Sequence, residues 1–331
     1  MVLKSSVIPW PMQSRKSQMF LNCGLLMGLC LLFYYISWTT LQRSRSVSEA
    51  PSPTSLPQTM SASTYPPAPP TPSCPPPPSP YDPTKVAFLV ETRPLPHLPA
   101  LFTHMTNIIP PEWTFKIMGS DALISFMRLS PLMSRLESNG KLQFLDLPSN
   151  YTLKNRETIS QMFTDPHLYR DILAPAEHLL VFQPDSIFCA NAPRTLNDFL
   201  EWDWIGAPWS KTATYGGNGG LSLRKVSKIL KLLETKQRPH GDGALEDLWL
   251  SSGLNALEGA QMPVANTSKT FSVESVWDDA PLGYHIGWLG VHHEQIWDDQ
   301  NQVNHVMEYC PEVKMILGMK LDNDKPDGIP R

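Results

Sequence analysis

The stretch LLVFQPDSIFC, residues 179–189, indicates both a buried strand and a candidate functional residue. Its first four residues, Leu179 to Phe182, form an unbroken apolar run, which is typical of a strand that is buried on both faces. A single carboxylate, Asp185, follows, and then the chain returns to apolar residues. The question is what a lone acid does at the end of a strand that belongs in a core.

Strand and helix patterns alternate on the amino-terminal side of this stretch. Short apolar runs predict strands, and longer segments between them predict helices. The predicted strands are 85–91, 113–119, 141–147 and 178–185, and the predicted helices are 98–109, 121–129 and 156–172. An acid, Asp121, is expected to cap the second helix, and Pro166 is expected to break the third. This order predicts an α/β fold with a parallel, helix-covered sheet.

The carboxyl-terminal half is less regular. The loop YGGNGG, residues 215–220, leads through a short strand into a helix, and GALEDLWLSSGL, residues 243–254, predicts a further helix. Beyond Ala260 the pattern predicts short strands and loops that are dense in aromatic residues and histidines.

The predicted sheet suggests a role for the lone acid. In open parallel sheets, ligands bind at the carboxyl ends of the strands, and Asp185 lies at that end of the fourth strand. Its side chain can therefore enter a ligand crevice while the strand stays buried. The tripeptide PDS is also good turn chemistry, so a turn or cap role stays open at this point.

The amino-terminal region predicts a membrane anchor. The run from Met19 to Trp38 carries no charge and is long enough to cross the roughly 30 Å hydrocarbon layer of a bilayer. Basic residues precede it, which favours a cytoplasmic tail at 1–18 and places everything after Trp38 in the lumen. The alternative is a cleaved signal peptide.

Composition divides the rest of the chain. Residues 39–84 are rich in proline, which predicts a disordered, extended stem rather than helix or sheet. A folded domain is expected at 85–318 and a flexible tail at 319–331. The net charge is −4 and no basic tract is present, so no nucleic-acid partner is expected. The glycosylation sequons at Asn150 and Asn266 suit a luminal domain.

The five cysteines have no metal-type spacing. In an oxidising lumen, Cys189 and Cys310 could form a disulfide, but two buried thiols fit the sequence as well.

Two further segments could carry chemistry. Glycines around Asn218 let the backbone approach a ligand closely, although a tight hairpin is the simpler interpretation and no Lys-Ser/Thr follows to make a phosphate loop. Glu246 and Asp247 could stabilise the helix by interacting with the positive end of its dipole, or one of them could supply a general base. Because adjacent helical residues do not face the same way, the two acids are alternatives for one role.

Aromatic residues favour a carbohydrate ligand. Seven of the ten tryptophans lie between Trp202 and Trp297, and sugars present C–H faces that stack on such rings. His285 is one of several histidines in the same region, and a histidine near a strand-end acid could complete a site for Mn²⁺ or Mg²⁺.

These motifs resemble a known family. The segments FQPDSIFC, WDWIGAPW, YGGNGGLSLR, EDLWL, FSVESVW, PLGYHIGW and EYCPEVKM, in this order, resemble a mostly fungal family called domain of unknown function 5672, which is regarded as glycosyltransferase-like. The resemblance covers residues 85–317. More distantly, the layout is similar to nucleotide-sugar glycosyltransferases of the GT-A type, which implies a Rossmann-like mixed sheet flanked by helices.

The resemblance also implies roles for individual residues. Asp185 corresponds to the acid that binds the metal beneath the donor diphosphate, and His285 corresponds to a late metal ligand, with Mn²⁺ or Mg²⁺ as the expected ion. The donor would also contact Gln183, Gly217, Asn218 and Gly219.

The general base is implied at Asp247 or Glu246. Gln183 stands where those enzymes have the first acid of an Asp-x-Asp element, and one carboxylate makes a weaker site for a hard cation than two.

The sequence therefore predicts a single-pass type II membrane protein of the Golgi or secretory pathway. Its luminal domain would move a sugar from a nucleotide-sugar donor to a hydroxyl of a glycan or glycoprotein acceptor. One alternative is a degenerate relative that only binds a sugar nucleotide or a glycan. Another is an inert surface protein presented on the proline-rich stem.

Overall fold

The structure of the protein is a computed structural model that describes residues 79–287 and 294–321, all in one compact unit of the chain. The predicted cytoplasmic tail, the predicted membrane segment 19–38 and most of the predicted stem lie outside these residues. Within the described ranges, no helix combines the length and the apolar character needed to cross a membrane.

Strands and helices alternate through the first half of the described chain, as the sequence predicted. The strands are β1 (Asp82–Glu91), β2 (Trp113–Gly119), β3 (Leu142–Asp146), β4 (His178–Phe182), β5 (Ser186–Phe188), β6 (Trp204–Gly206), β7 (Leu221–Lys225), β8 (Ser272–Val273) and β9 (Gly283–His285). The helices are α1 (Leu98–Ile108), α2 (Asp121–Arg128), α3 (Pro131–Ser138), α4 (Arg156–Phe163), α5 (Val226–Thr235), α6 (Glu246–Asn255), α7 (Ala265–Phe271), α8 (Glu294–Trp297), α9 (Gln300–Tyr309) and α10 (Lys314–Leu321).

The main sheet is mixed and parallel-rich, in the order β3-β2-β1-β4-β7-β6. Strands β1 to β4 run parallel, while β7 is antiparallel to β4 and β6 is antiparallel to β7. The chain builds outward from β1 to β3 and then returns to place β4 on the other side of β1. The strand order therefore reverses between β1 and β4, and the carboxyl ends of these two strands border the crevice where such sheets bind ligands.

Both faces of the sheet are buried, which explains the continuous apolar strands. On β1, Ala87 and Leu89 pack into one core, while Val86 and Phe88 pack into a second core on the opposite face. Helix α1 covers the first core with side chains at positions i, i+3, i+4 and i+7, which share one helical face. These buried side chains are Leu98, Leu101, Phe102 and Met105.

The structure corrects several details of the sequence prediction. β1 begins at Asp82 rather than Lys85, so the last residues of the predicted stem belong to the sheet. Ser120, not Asp121, caps α2, because its side chain accepts a hydrogen bond from the Leu123 N–H. Beyond Ala260 the chain forms helices α7, α9 and α10 as well as short strands. The third predicted helix does break near Pro166, since α4 ends at Phe163.

A second, three-stranded sheet, in the order β5-β9-β8, continues from the end of β4. β5 follows β4 after a short turn and pairs antiparallel with β9, and β8 pairs parallel with β9. Cys189, directly after β5, forms a disulfide with Cys310 at the end of α9. This settles the alternative that the sequence left open, and it fastens the carboxyl-terminal helices to the small sheet.

We expect the C189S substitution to lower the free energy of unfolding by about 2–4 kcal/mol, because the bridge constrains a long loop of the unfolded chain. C310S should cost about the same, and the C189S/C310S double variant should cost no more than either single variant, since one bond is lost in each case. Urea titration followed by circular dichroism measures the three losses. Losses that add in the double variant would contradict the bridge.

Candidate active site

The end of β4 carries Asp185 in a short turn. The Gln183 N–H donates to the Gly220 carbonyl at 2.8 Å, which extends the pairing with β7 by one residue, and the Ser186 N–H closes the turn on the Gln183 carbonyl at 3.0 Å. The turn interpretation of this tripeptide is therefore correct for its backbone. The Asp185 side chain, however, is buried, with the residue 6% exposed. The acid lies inside the carboxyl edge of the sheet rather than in solvent.

His285 is brought to Asp185 by strand pairing. In the β5–β9 ladder, Ser186 lies opposite His285, and the Ile286 N–H donates to the Asp185 carbonyl at 2.9 Å. The imidazole Nε2 consequently lies 3.4 Å from Asp185 Oδ1. The two residues that the sequence proposed as metal ligands are therefore neighbours.

A third acid, Glu274, lies on the other side of the same imidazole. Its Oε1 is 3.1 Å from His285 Nδ1, although neither ring nitrogen makes an aligned hydrogen bond. Burial by itself would lower the pKa of His285, but the charges of Asp185 and Glu274 outweigh burial and raise this pKa to about 10. A proton on His285 thus balances two buried carboxylates.

The glycine loop borders the same point. Gly217 has a φ of +142°, which a residue with a side chain rarely adopts, and its carbonyl accepts a hydrogen bond from Trp204 Nε1 at 3.1 Å. A Cβ at Gly220 would lie 2.7 Å from Gln183 Oε1 and would collide with His285 Nε2. The backbone can therefore pass between these groups only where no side chain is present, so the loop is more than a tight hairpin.

The two acids at the start of α6 have separate surroundings. Glu246 accepts two hydrogen bonds of 3.0 Å from the guanidinium of Arg224, which is fully buried between the rings of Trp204 and Phe163. Burial raises the pKa of Glu246 to about 7, while Arg224 acts in the opposite direction. Glu246 is thus engaged in a structural ion pair.

Asp247 faces the glycine loop instead. Its Oδ2 accepts a hydrogen bond from the Gly219 N–H at 3.1 Å, and Oδ1 accepts one from the Leu248 N–H at 2.8 Å. Burial raises the pKa of Asp247, partly offset by these two hydrogen bonds. Of the two alternatives for a base, Asp247 is the one that lies beside the residues proposed to contact the donor.

The residues present fit a divalent cation that is shared with a bound ligand. Two atoms that ligate one ion at about 2.1 Å and near a right angle lie roughly 3 Å apart, close to the separation of Asp185 Oδ1 and His285 Nε2. Gln183 Oε1 borders the same point as a neutral oxygen. In residues 79–287 and 294–321, no cluster of three or more His, Cys, Asp or Glu side chains is arranged to hold a metal, so further ligands would come from the substrate.

Sequence reasoning missed four charged residues of this region. Glu274 follows the short strand β8, and Arg224 lies within β7, where a buried charge contradicts the strand pattern. At the carboxyl end of β1, Glu91 holds Arg93 through hydrogen bonds of 2.8 and 3.0 Å. The interruption of an apolar strand by a charge was a visible signal for Arg224. No comparable signal was available for Glu274, because its contacts form only when distant segments of the chain pair.

Three of the seven described tryptophans are buried, and three more are half-buried against the core, so few of them offer a free face to a sugar. Trp204 and Trp249 are buried, whereas Trp209 is 37% exposed and packs against Gly216 of the glycine loop. Trp209 is thus an aromatic ring that borders the loop and remains accessible. The histidines 292 and 293 lie outside the described residues.

Comparison with known proteins gives one family match. The family described as "Protein of unknown function (DUF5672)" matches residues 141–285, a segment that contains all of the predicted site residues. The predicted resemblance is confirmed over this segment, while the mostly fungal distribution stays a prediction. No curated protein matches the chain.

Solved glycosyltransferase structures resemble the chain at low identity. The mannosyltransferase PcManGT from Pyrobaculum calidifontis, in complex with GDP-Man and Mn²⁺, has a TM-score of 0.41 at 11% identity, and the match covers 73% of this chain and 72% of that one. Core-mannan synthase A from Aspergillus fumigatus, in its Mn/GDP form, has a TM-score of 0.37 at 8% identity, with 56% and 72% covered. The glycosyltransferase GlyE of Streptococcus pneumoniae TIGR4 has a TM-score of 0.38 at 15% identity, and this chain covers 63% of its length.

We expect the E246A variant to lose about 3–5 kcal/mol of stability, because it leaves the buried Arg224 charge without its carboxylate. The R224M/E246L double variant should recover most of this loss. The matched control is E137A, which breaks the exposed pair between Arg128 and Glu137 and should cost at most about 1 kcal/mol. Chemical denaturation measures all three, and a loss for E246A no larger than that for E137A would contradict the structural role.

Proposed function

We propose that the protein is a glycosyltransferase that moves a sugar from a nucleotide-sugar donor to a hydroxyl acceptor. The observation that carries this proposal is the meeting of Asp185, His285 and the glycine loop at the carboxyl end of β4, beside the point where the strand order reverses. The more distant similarity of the chain's layout to GT-A enzymes supports the same reaction class.

The chain's own residues have separate tasks in this proposal. Asp185 and His285 would hold Mn²⁺ or Mg²⁺, with Gln183 Oε1 nearby. When bound, the cation would neutralise charge on the diphosphate leaving group. The backbone of Gly217, Asn218 and Gly219 would lie against the donor sugar, because it carries little side-chain bulk there.

Asp247 would accept the proton from the acceptor hydroxyl as that oxygen attacks the anomeric carbon. Its hydrogen bond from the Gly219 N–H supports this role, because the glycine loop would lie against the donor. Trp209 would present an aromatic face to an acceptor sugar on the other side of Gly216. Glycans and glycoproteins are the acceptor classes proposed.

The cellular setting is proposed on separate grounds. The disulfide between Cys189 and Cys310 supports an oxidising compartment, and both sequon asparagines, Asn150 and Asn266, are exposed. Together with the apolar segment 19–38, these features support a type II membrane protein with its large domain in the secretory pathway. The short length of that segment, the proline-rich sequence after it and the family resemblance favour the Golgi.

A thermal-shift screen against nucleotide sugars, with and without Mn²⁺, tests the donor class. A donor at 100 times its dissociation constant stabilises the folded state by about 2.7 kcal/mol, which shifts the unfolding temperature measurably. Release of the nucleoside diphosphate in the presence of glycan acceptors then tests transfer. Binding of a donor without release would favour the second candidate function, a sugar-nucleotide-binding protein, which the neutral Gln183 supports.

With the donor from that screen, we expect D247N to lower turnover by about 10²- to 10⁴-fold, the typical contribution of a positioned base. The raised pKa of Asp247 also predicts that wild-type activity falls, as the pH is lowered, at values above the ordinary range of an aspartate. The control is E258Q, an exposed acid just beyond α6, which should leave turnover unchanged. Wild-type turnover in D247N would remove the base assignment.

We expect D185N to abolish the Mn²⁺-dependent part of donor binding, since it removes the carboxylate of the proposed cation site. The matched control is D171N, an exposed acid that precedes β4 and so lies away from its carboxyl end. Isothermal titration with donor, with Mn²⁺ and then with excess chelator, measures the effect. Equal donor affinity for D185N and wild type in Mn²⁺ would refute the cation role.

A further inference from the structure

Glu274 has no role in the reaction as proposed, yet it contacts two parts of the candidate site. Its Oε1 lies 3.1 Å from His285 Nδ1 and accepts a hydrogen bond of 3.2 Å from Asn218 Nδ2. The residue is 5% exposed, so these contacts are shielded from water. A buried carboxylate at such a point costs free energy unless its neighbours compensate for the lost hydration.

Strand pairing places Glu274 beside His285. In the parallel β8–β9 ladder, Val273 lies opposite Tyr284, so Glu274, which follows β8, lies level with His285, the last residue of β9. On its other side β9 pairs with β5, where Ser186 lies opposite His285, and Asp185 is the residue before Ser186. The imidazole is therefore held between a carboxylate at Nδ1 and a carboxylate at Nε2.

The two ring nitrogens then have different functions. When a cation replaces the proton on Nε2, the carboxylate next to Nδ1 favours retention of the proton on Nδ1, so that Nε2 can ligate the ion. Such a partner also fixes the rotation of the ring. Asn218 completes the connection, because its side chain donates to Glu274 while its Oδ1 accepts the Gly220 N–H at 2.6 Å.

We propose that Glu274 is a positioning residue that orients His285 for divalent-cation binding and couples this orientation to the glycine loop through Asn218. The proposal rests on the cation-assisted function proposed above, and it adds an acid outside the expected ligand set. In this proposal Glu274 is not a ligand of the cation, and its effect on cation binding passes through His285 and Asn218.

The first test measures Mn²⁺ affinity directly. Mn²⁺ alone is titrated into the full-length protein, and the free ion is followed by electron paramagnetic resonance. We expect E274Q to bind Mn²⁺ about 10- to 100-fold more weakly than wild type, the usual effect of removing the partner of a ligating histidine. E274D keeps the carboxylate on a shorter side chain that cannot reach Nδ1 as closely, so it should show a smaller loss of Mn²⁺ affinity. If E274Q does not fold, E274D still tests the role of Glu274.

The matched control is D203N. Asp203 is also a buried acid, paired with Lys225 and Lys228. It precedes β6 and lies level with the start of β4, away from the carboxyl end that carries Asp185. Its substitution should lower thermal stability without changing Mn²⁺ affinity. A loss of affinity in D203N equal to that in E274Q would mean that general destabilisation explains both.

The second test reports on the ring itself. In protein labelled with ¹⁵N-histidine and loaded with Mg²⁺, the His285 signal is assigned by its disappearance in H285Q. We expect its proton on Nδ1 in wild type and a loss of this preference in E274Q. An unchanged tautomer, or an unchanged Mn²⁺ affinity in a folded E274Q, would overturn the proposal.

The outcomes separate this inference from the proposed function. Mn²⁺ binding that depends on Glu274, in a protein that binds no nucleotide sugar, would retain the inference and remove the transferase. Absence of Mn²⁺ binding in wild type would overturn the inference together with the cation role, whereas donor turnover in that protein would still support a transferase.

Discussion

The buried ion pair between Arg224 and Glu246 fixes the glycine loop and the start of α6 relative to each other. Arg224 belongs to β7, directly after the glycine loop, and its guanidinium also donates to the Gly219 carbonyl at 3.1 Å. Glu246 begins the helix that carries Asp247. One guanidinium thus fixes the loop and the candidate base relative to each other, and the aromatic rings of Trp204 and Phe163 keep water away from the pair. The position of the candidate reactive groups therefore depends on this buried ion pair.

Local features of the fold were predictable because they depend on residues that are close together in the sequence. β2 spans the predicted 113–119, and the apolar face of α1 follows the helical period. The sequence also located Asp185 at a strand end, since that position follows from chain order alone. It assigned the cap of α2 to Asp121 because Ser120 and Asp121 are both good capping residues, and only backbone geometry distinguishes them.

The remainder depended on contacts between distant segments. Glu246 and Asp247 have the same local sequence context, and the difference between them arises from Arg224 on another strand. Glu274 acquires its neighbours only when β8 and β9 pair. The helices beyond Ala260 are short and are stabilised by packing and by the disulfide, so their periodicity is weak. Sequence patterns predict which residues are buried more readily than which buried residues meet.

The pairing of β5 with β9 has a consequence for biosynthesis. β5 leaves the ribosome well before its partner strand β9, which lies much later in the chain, and Cys310 emerges later still. Until then, the hydrophobic β5 and its adjoining thiol remain without their native neighbours and are suitable targets for chaperones and thiol oxidoreductases. The reactive edge of the domain is consequently assembled last, so a polypeptide released prematurely would have a largely formed main sheet but no competent site.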